Sequence, residues 1–175
     1  MYALAVGSGR HVKEEVKQAL SLLLSRGSSP SIYAANQSVF ALEEMGLYAD
    51  YWISLHPENF DEWQKQLTYW PQRVDMTDKR CCFNGLDDHA SSGAMCVRKA
   101  LMDGHTKIIM AGIPMDAHHL HFNDTKLWTT ANTVFTSFVM AVNLNPELDR
   151  CVRSMSGLTR ELLGEPTLEW LTTFN

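Results

Sequence analysis

Short, nearly continuous apolar runs alternate with amphipathic stretches along most of this chain, and that alternation constrains the fold more than any other feature. YALAV (2–6), SIYAA (31–35), YWISL (51–55), KIIMA (107–111) and CVRSM (151–155) read as strands, with a weaker one at 73–76. Between them lie helical patterns. In HVKEEVKQALSLLLSRG (11–27), Val12, Val16, Leu20 and Leu23 fall on one face and Gly27 closes the helix. Further helices are predicted at 38–45, from Pro57 onward, at 93–103, 129–142, 158–163 and 167–173. Strands without a polar face are those of a parallel sheet covered on both sides. The expected fold is α/β: a single Rossmann-like three-layer domain over 1–175 with a mostly parallel sheet.

Length and composition support this reading. The 175 residues, 45% of them hydrophobic, suffice for one domain with its own core. A net charge of −5 argues against an extended nucleic-acid surface. No apolar run approaches the ~20 residues that span a bilayer, and the first ten residues lack a basic segment followed by a long apolar core. A cytoplasmic protein with no membrane partner is expected. Cys81, Cys82, Cys96 and Cys151 match neither a zinc ribbon nor a disulfide framework, so buried free thiols are expected.

In open parallel sheets, ligands bind beyond the carboxyl ends of the strands, so the residues that follow each strand are the site candidates. Gly7-Ser8-Gly9 occupies the place of a phosphate-binding turn, where glycine allows close backbone approach and the next helix offers free amides; a plain tight turn is the alternative. Val12 stands where a dinucleotide fingerprint has its third glycine, so no dinucleotide cofactor is expected. Asn36 ends the second strand, and its amide suits a base or ribose edge as well as its own turn. Ser91, Ser92 and Gly93 open a helix; Ser is a good cap, and the same helix start attracts anions. MDAHHLHFNDTK (115–126) places His118, His119 and His121 near Asp116 and Asp124. Histidine there suits acid–base work, a metal or a solvated loop; without an HExxH pattern, no metal site is assigned. His56 is a separate catalytic candidate at a strand end, whereas His11, His89 and His105 read as structural or exposed. The methionines and tryptophans read as core.

Taken in order, strand–GSGR–helix, a strand ending AANQS, and SSGAMCVRKALMDGHTKIIMAGIPMD (91–116) resemble a superfamily of bacterial and archaeal enzymes. It comprises the CMP-sialic-acid sialyltransferases, the Maf-type flagellin glycosyltransferases and the archaeal 6-hydroxymethylpterin diphosphokinases. The match in pattern covers roughly the first 120 residues, and Ser-Ser-Gly is its most specific part. VRSMSGLTRELLGEPTLEWL (152–171) is similar to small phage-encoded proteins, which would place the chain in a host cytoplasm.

The resemblance implies a nucleotide-binding transferase, glycosyltransferase-like, using a CMP-type sugar donor. It implies that Gly7, Ser8 and Gly9 hold phosphate or ribose and that Asn36 contacts the nucleotide. Ser91, Ser92 and Gly93 would bind phosphate, and Asp116 would edge the pocket. A histidine of the loop after the fifth strand would act as general base, and members commonly form homo-oligomers. The diphosphokinase branch would instead require Mg²⁺, held by Asp116 or Asp124, and a non-catalytic phage protein sequestering a nucleotide or host factor is a third expectation. Arg10 and His11 replace the family's Pro-Ser, Pro114 interrupts its Gly-Ile-Asp, and the chain is shorter than the sialyltransferases.

Overall fold

The sheet is built from residues that alternate between two cores. Ala3 and Ala5 of strand β1 (Tyr2–Val6) face one side, Leu4 and Val6 the other, and all four are fully buried. The same division holds in β5 (Lys107–Ala111), where Ile108 and Met110 lie opposite Ile109 and Ala111. A strand buried on both faces can carry no polar alternation, which explains the continuous apolar runs.

The structure, a computed structural model, describes residues 1–27, 29–78, 81–86, 91–117, 120–122 and 128–173. From β1 the chain passes through α1 (Val12–Leu24) to β2 (Ser31–Ala35) and α2 (Ser38–Glu44) to β3 (Tyr51–Ser54). A 3₁₀ turn at Pro57–Asn59 and α3 (Phe60–Gln64) lead to β4 (Gln72–Asp75). Then follow α4 (Ser92–Met102), β5, α5 (Ala131–Leu144), α6 (Pro146–Cys151), β6 (Val152–Ser154), α7 (Gly157–Leu163) and α8 (Leu168–Thr172). The six strands pair in parallel in the order β4-β3-β2-β1-β5-β6. This is a Rossmann-like three-layer α/β domain.

Helices α1, α2, α3 and α8 cover one face; α4, α5, α6 and α7 cover the other. The chain steps outward from β1 to β4, then returns through α4 on the opposite face to place β5 beside β1. The loops after β1 and β5 therefore diverge toward opposite layers and leave a crevice at the switch point. Sequence boundaries hold within one or two residues for most elements. Two departures are instructive: the stretch after Pro57 opens as a 3₁₀ turn rather than a continuous helix, and α6 precedes the last strand. All four cysteines are free, as expected, but only Cys96 and Cys151 are buried; Cys81 and Cys82 are half-buried. No helix among the described residues is long and apolar enough to cross a membrane.

Candidate functional site at the switch point

The tips of β1 and β5 touch, and the glycines are there to let them. The Gly7 amide donates to Ala111 O and the Gly9 amide to Gly112 O, each at 2.8 Å. A Cβ on Gly7 would lie 2.4 Å from Gly112 O, and one on Gly9 would lie 2.9 Å from the same atom. Gly112 has φ +68° and packs against Gly7 O and Val12. Its amide donates to the carboxylate of Glu15 at 2.7 Å, a buried acid on the inward face of α1. From the far side the Ile113–Pro114 tip is braced by Thr159, whose hydroxyl donates to Ile113 O at 2.7 Å, and by Gly157 against Pro114.

Beside this contact lies a cavity of about 270 Å³. Gly7, Ser8, Gly9, Asn36, His56, Ser91, Ser92, Gly93 and His121 all line it, so it gathers most of the residues that the sequence nominates. Asp116 is half-buried and lies outside the described lining. His118, His119 and Asp124 lie outside the described residues. The amides of Gly7 and Gly9 are engaged with the tip of β5, so the first turn is built by backbone packing, and the donors that face the cavity come from elsewhere.

They come from α4 and Asn36. Ser91 caps α4, its Oγ accepting from the Ala94 amide at 3.1 Å, and Ser92 Oγ accepts from the Leu55 amide at 3.1 Å. Both hydroxyls thus have structural duties, which is the bland reading of Ser-Ser-Gly. The amides of Ser92 and Gly93, the first two of α4, have no intrahelical acceptor and no other partner among the described residues. Asn36 sits at φ +49°, a conformation that Asn tolerates better than most residues. Its Oδ1 accepts from Ser54 Oγ at 2.8 Å, and Ser54 Oγ in turn accepts from the His56 amide at 2.8 Å. That leaves the Asn36 side-chain NH₂ as a donor at the cavity wall. Met115, immediately beyond Pro114, is the other left-handed non-glycine residue described. Of these two, Asn36 lines the cavity, whereas Met115 is buried in the core behind Pro114.

Two histidines supply the ionisable chemistry; among the described lining residues no carboxylate, lysine or arginine is present. His56 is exposed at the rim, its Nδ1 3.3 Å from Glu58 Oε1. His121 arrives on the loop after β5, which doubles back over the first turn. Phe122 N donates to Ser8 O at 2.8 Å, and His121 forms an antiparallel bridge with Gly9. Its ring meets the edge of Trp128 with centroids 6.3 Å apart. No group of three or more His, Cys, Asp or Glu side chains among the described residues is arranged to hold a metal.

Several contributors escape a reading of the sequence. Glu15 follows from helical phase alone, since it shares the inward face with Val12 and Val16, yet a carboxylate there reads as solvent-facing until a partner is known. Trp128 and Thr130 line the cavity at the start of α5, Trp128 while also packed against the core; the tryptophan that departs from the expected core role is Trp70, which is exposed. Thr130 is the residue before α5 and could have been read as its cap. Leu120 carries no signal. Comparison with family models, with curated proteins and with solved structures returned no match.

Proposed function

We propose that the chain is a nucleotide-binding transferase, glycosyltransferase-like, that takes a CMP-type sugar nucleotide in the crevice between β1 and β5. One observation carries this reading. The two open amides of α4, the Asn36 NH₂ and two histidines surround a single cavity at the fold's switch point. A helix start with free amides favours an anion, and an amide at the tip of β2 suits ribose or base. The volume, about 270 Å³, falls just below the usual range of ligand pockets, so it would enclose part of a sugar nucleotide and leave the rest at the open rim, where His56 and Thr130 are exposed.

In such a reaction the acceptor hydroxyl attacks the anomeric carbon, a new C–O bond forms, and the sugar–phosphate C–O bond breaks. The nucleoside monophosphate leaves with the bonding pair. The α4 amides would stabilise that departing phosphate, and a histidine would take the hydroxyl proton. His121 belongs to the loop to which the family resemblance assigns the base. His56 has the complementary merit of Glu58 at Nδ1, which leaves Nε2 to accept a proton.

The reading predicts that millimolar CMP raises the melting temperature by about 5–10 °C if its dissociation constant is near 10 μM. Asn36→Asp keeps the acceptor for Ser54 but replaces the donor with negative charge. It should leave the unliganded melting temperature within a degree or two and remove the CMP shift. A panel of nucleoside phosphates that moves the wild-type melting temperature nowhere would overturn the proposal. His56→Gln and His121→Gln, assayed for transfer, identify the base as the variant that binds nucleotide yet turns over at least a hundredfold more slowly.

A further inference from the structure

The cavity lining is mixed. Asn36, His56 and the start of α4 bring polar groups to it. Leu120, Val134, Trp128 and Ile113, which packs against Gly93 of α4, bring apolar surface, and Thr130 brings an exposed hydroxyl. Trp128 is half-buried and set at 79° to the ring of His121. Thr130 is exposed, precedes the 14-residue α5, and makes no side-chain cap hydrogen bond to it. Trp128 packs against the core and also lines the cavity, next to His121. Thr130, which does not cap its own helix, lines the same cavity.

Resting on the nucleotide reading above, we infer that Trp128 and Thr130 form a second subsite, which receives the ring of the group the nucleotide carries. A sugar ring has the matching chemistry. Its C–H face lies against an aromatic surface, and its hydroxyls take hydrogen bonds at the edge. Trp128 supplies the flat apolar surface and Thr130 a hydroxyl that can donate and accept. The placement puts the carried ring beside His121 and the phosphate beside α4, with the bond to be broken between them. Trp128 is thus a specificity-determining residue for the carried group and not for the nucleotide.

The test compares binding of paired probes to the wild type, Trp128→Ala, Trp128→Phe and Thr130→Val. The pairs are CMP with CMP-N-acetylneuraminate, and UDP with UDP-glucose, each titrated calorimetrically. The wild type should bind one sugar nucleotide at least tenfold more tightly than its parent nucleotide. Trp128→Ala should erase that preference while leaving the affinity for the parent nucleotide within threefold; Trp128→Phe should keep most of it, and Thr130→Val should reduce it by about threefold to tenfold. Equal weakening of both members of a pair by Trp128→Ala, or no weakening of either, overturns the subsite while the nucleotide reading stands. A wild type that binds none of the four probes overturns the nucleotide reading and the subsite together.

Discussion

The two ends of the sheet use polar groups in opposite ways. At the carboxyl end the strand tips are glycine, asparagine and serine, the described cavity wall has no lysine, arginine or carboxylate, and donors of α4 stand open. At the amino end charges are drawn inward, some matched by a counter-charge and others resting on an aromatic ring. Tyr33, fully buried in β2, donates to Asp103 Oδ2 at 2.8 Å, and Lys99 pairs with the other carboxylate oxygen. Lys99 also lies 4.9 Å from the ring of Tyr51, which stacks on Tyr33. Burial alone would raise the Asp103 carboxyl, but the hydrogen bonds from Lys99 and Tyr33 outweigh it and hold it below the usual carboxylate range. Burial, with help from Asp103, drives the Tyr33 hydroxyl upward. Lys107 Nζ has no hydrogen-bond partner among the described residues and rests 4.8 Å from the Trp170 ring centroid; Arg153 covers the same indole at 5.2 Å. Burial lowers the Lys107 amine. At the amino end Tyr33, Lys99 and Asp103 satisfy one another, while at the carboxyl end the first two amides of α4 have no partner among the described residues.

Four substitutions press on that contrast, beginning with the largest effect. Trp170→Ala removes the indole shared by Lys107 and Arg153 and should cost about 3–5 kcal/mol in urea unfolding. A loss under about 1 kcal/mol would show that α8 is not coupled to the amino end. Glycine replacements then compare the two ends directly. Gly7→Ala drives a methyl into Gly112 O and should cost about 3 kcal/mol, because backbone must move. Gly46→Ala, at the amino end, meets no atom within 4 Å and bears only its φ of +70°, so about 1–2 kcal/mol is expected. Similar losses for both would contradict the tight contact between the tips of β1 and β5. Tyr33→Phe should cost about 1.5–3 kcal/mol, as it deletes a hydrogen bond to a charged group.

The smallest effect is a matter of pH. Burial lowers His105 below the usual imidazole range, and the N-terminal amino group adds to that. The folded protein therefore holds His105 neutral where the unfolded chain is protonated. That contribution to stability is present above the unfolded value, about 6.5, and is lost as pH falls below it toward the folded value. Melting temperature between pH 7 and pH 5 should fall more steeply for the wild type than for His105→Gln. Parallel slopes would remove His105 from the account of the amino end.

Much of this architecture is legible in the sequence because burial on both faces leaves a direct mark. YALAV and KIIMA can be little else than central parallel strands, whereas the strand order is seen only in the structure, because alternation with helices is compatible with more than one doubly wound order. Site residues at strand ends are legible for the same reason: topology places every such end on one rim. What escapes is convergence between distant segments. Nothing near position 15 announces that its carboxylate meets the amide of residue 112, and nothing near position 7 says that its glycine yields space to another turn. Gly-Ser-Gly reads as a phosphate turn, yet two of its three amides are engaged by β5. The short α6 escaped because six residues hold too little periodicity to register, although Pro146 at its first turn was a fair start signal.

The carboxylate of Glu15 has a directional consequence. It draws the Gly112 amide toward α1, and with the carbonyls of Ala111, Gly112 and Ile113 bonded to Gly7, Gly9 and Thr159, the tip of β5 is left to line the crevice chiefly with hydrocarbon. If the crevice takes an anionic ligand as proposed, the donors would lie at α4 and not at β5, so its charged end would have one favourable heading along the rim.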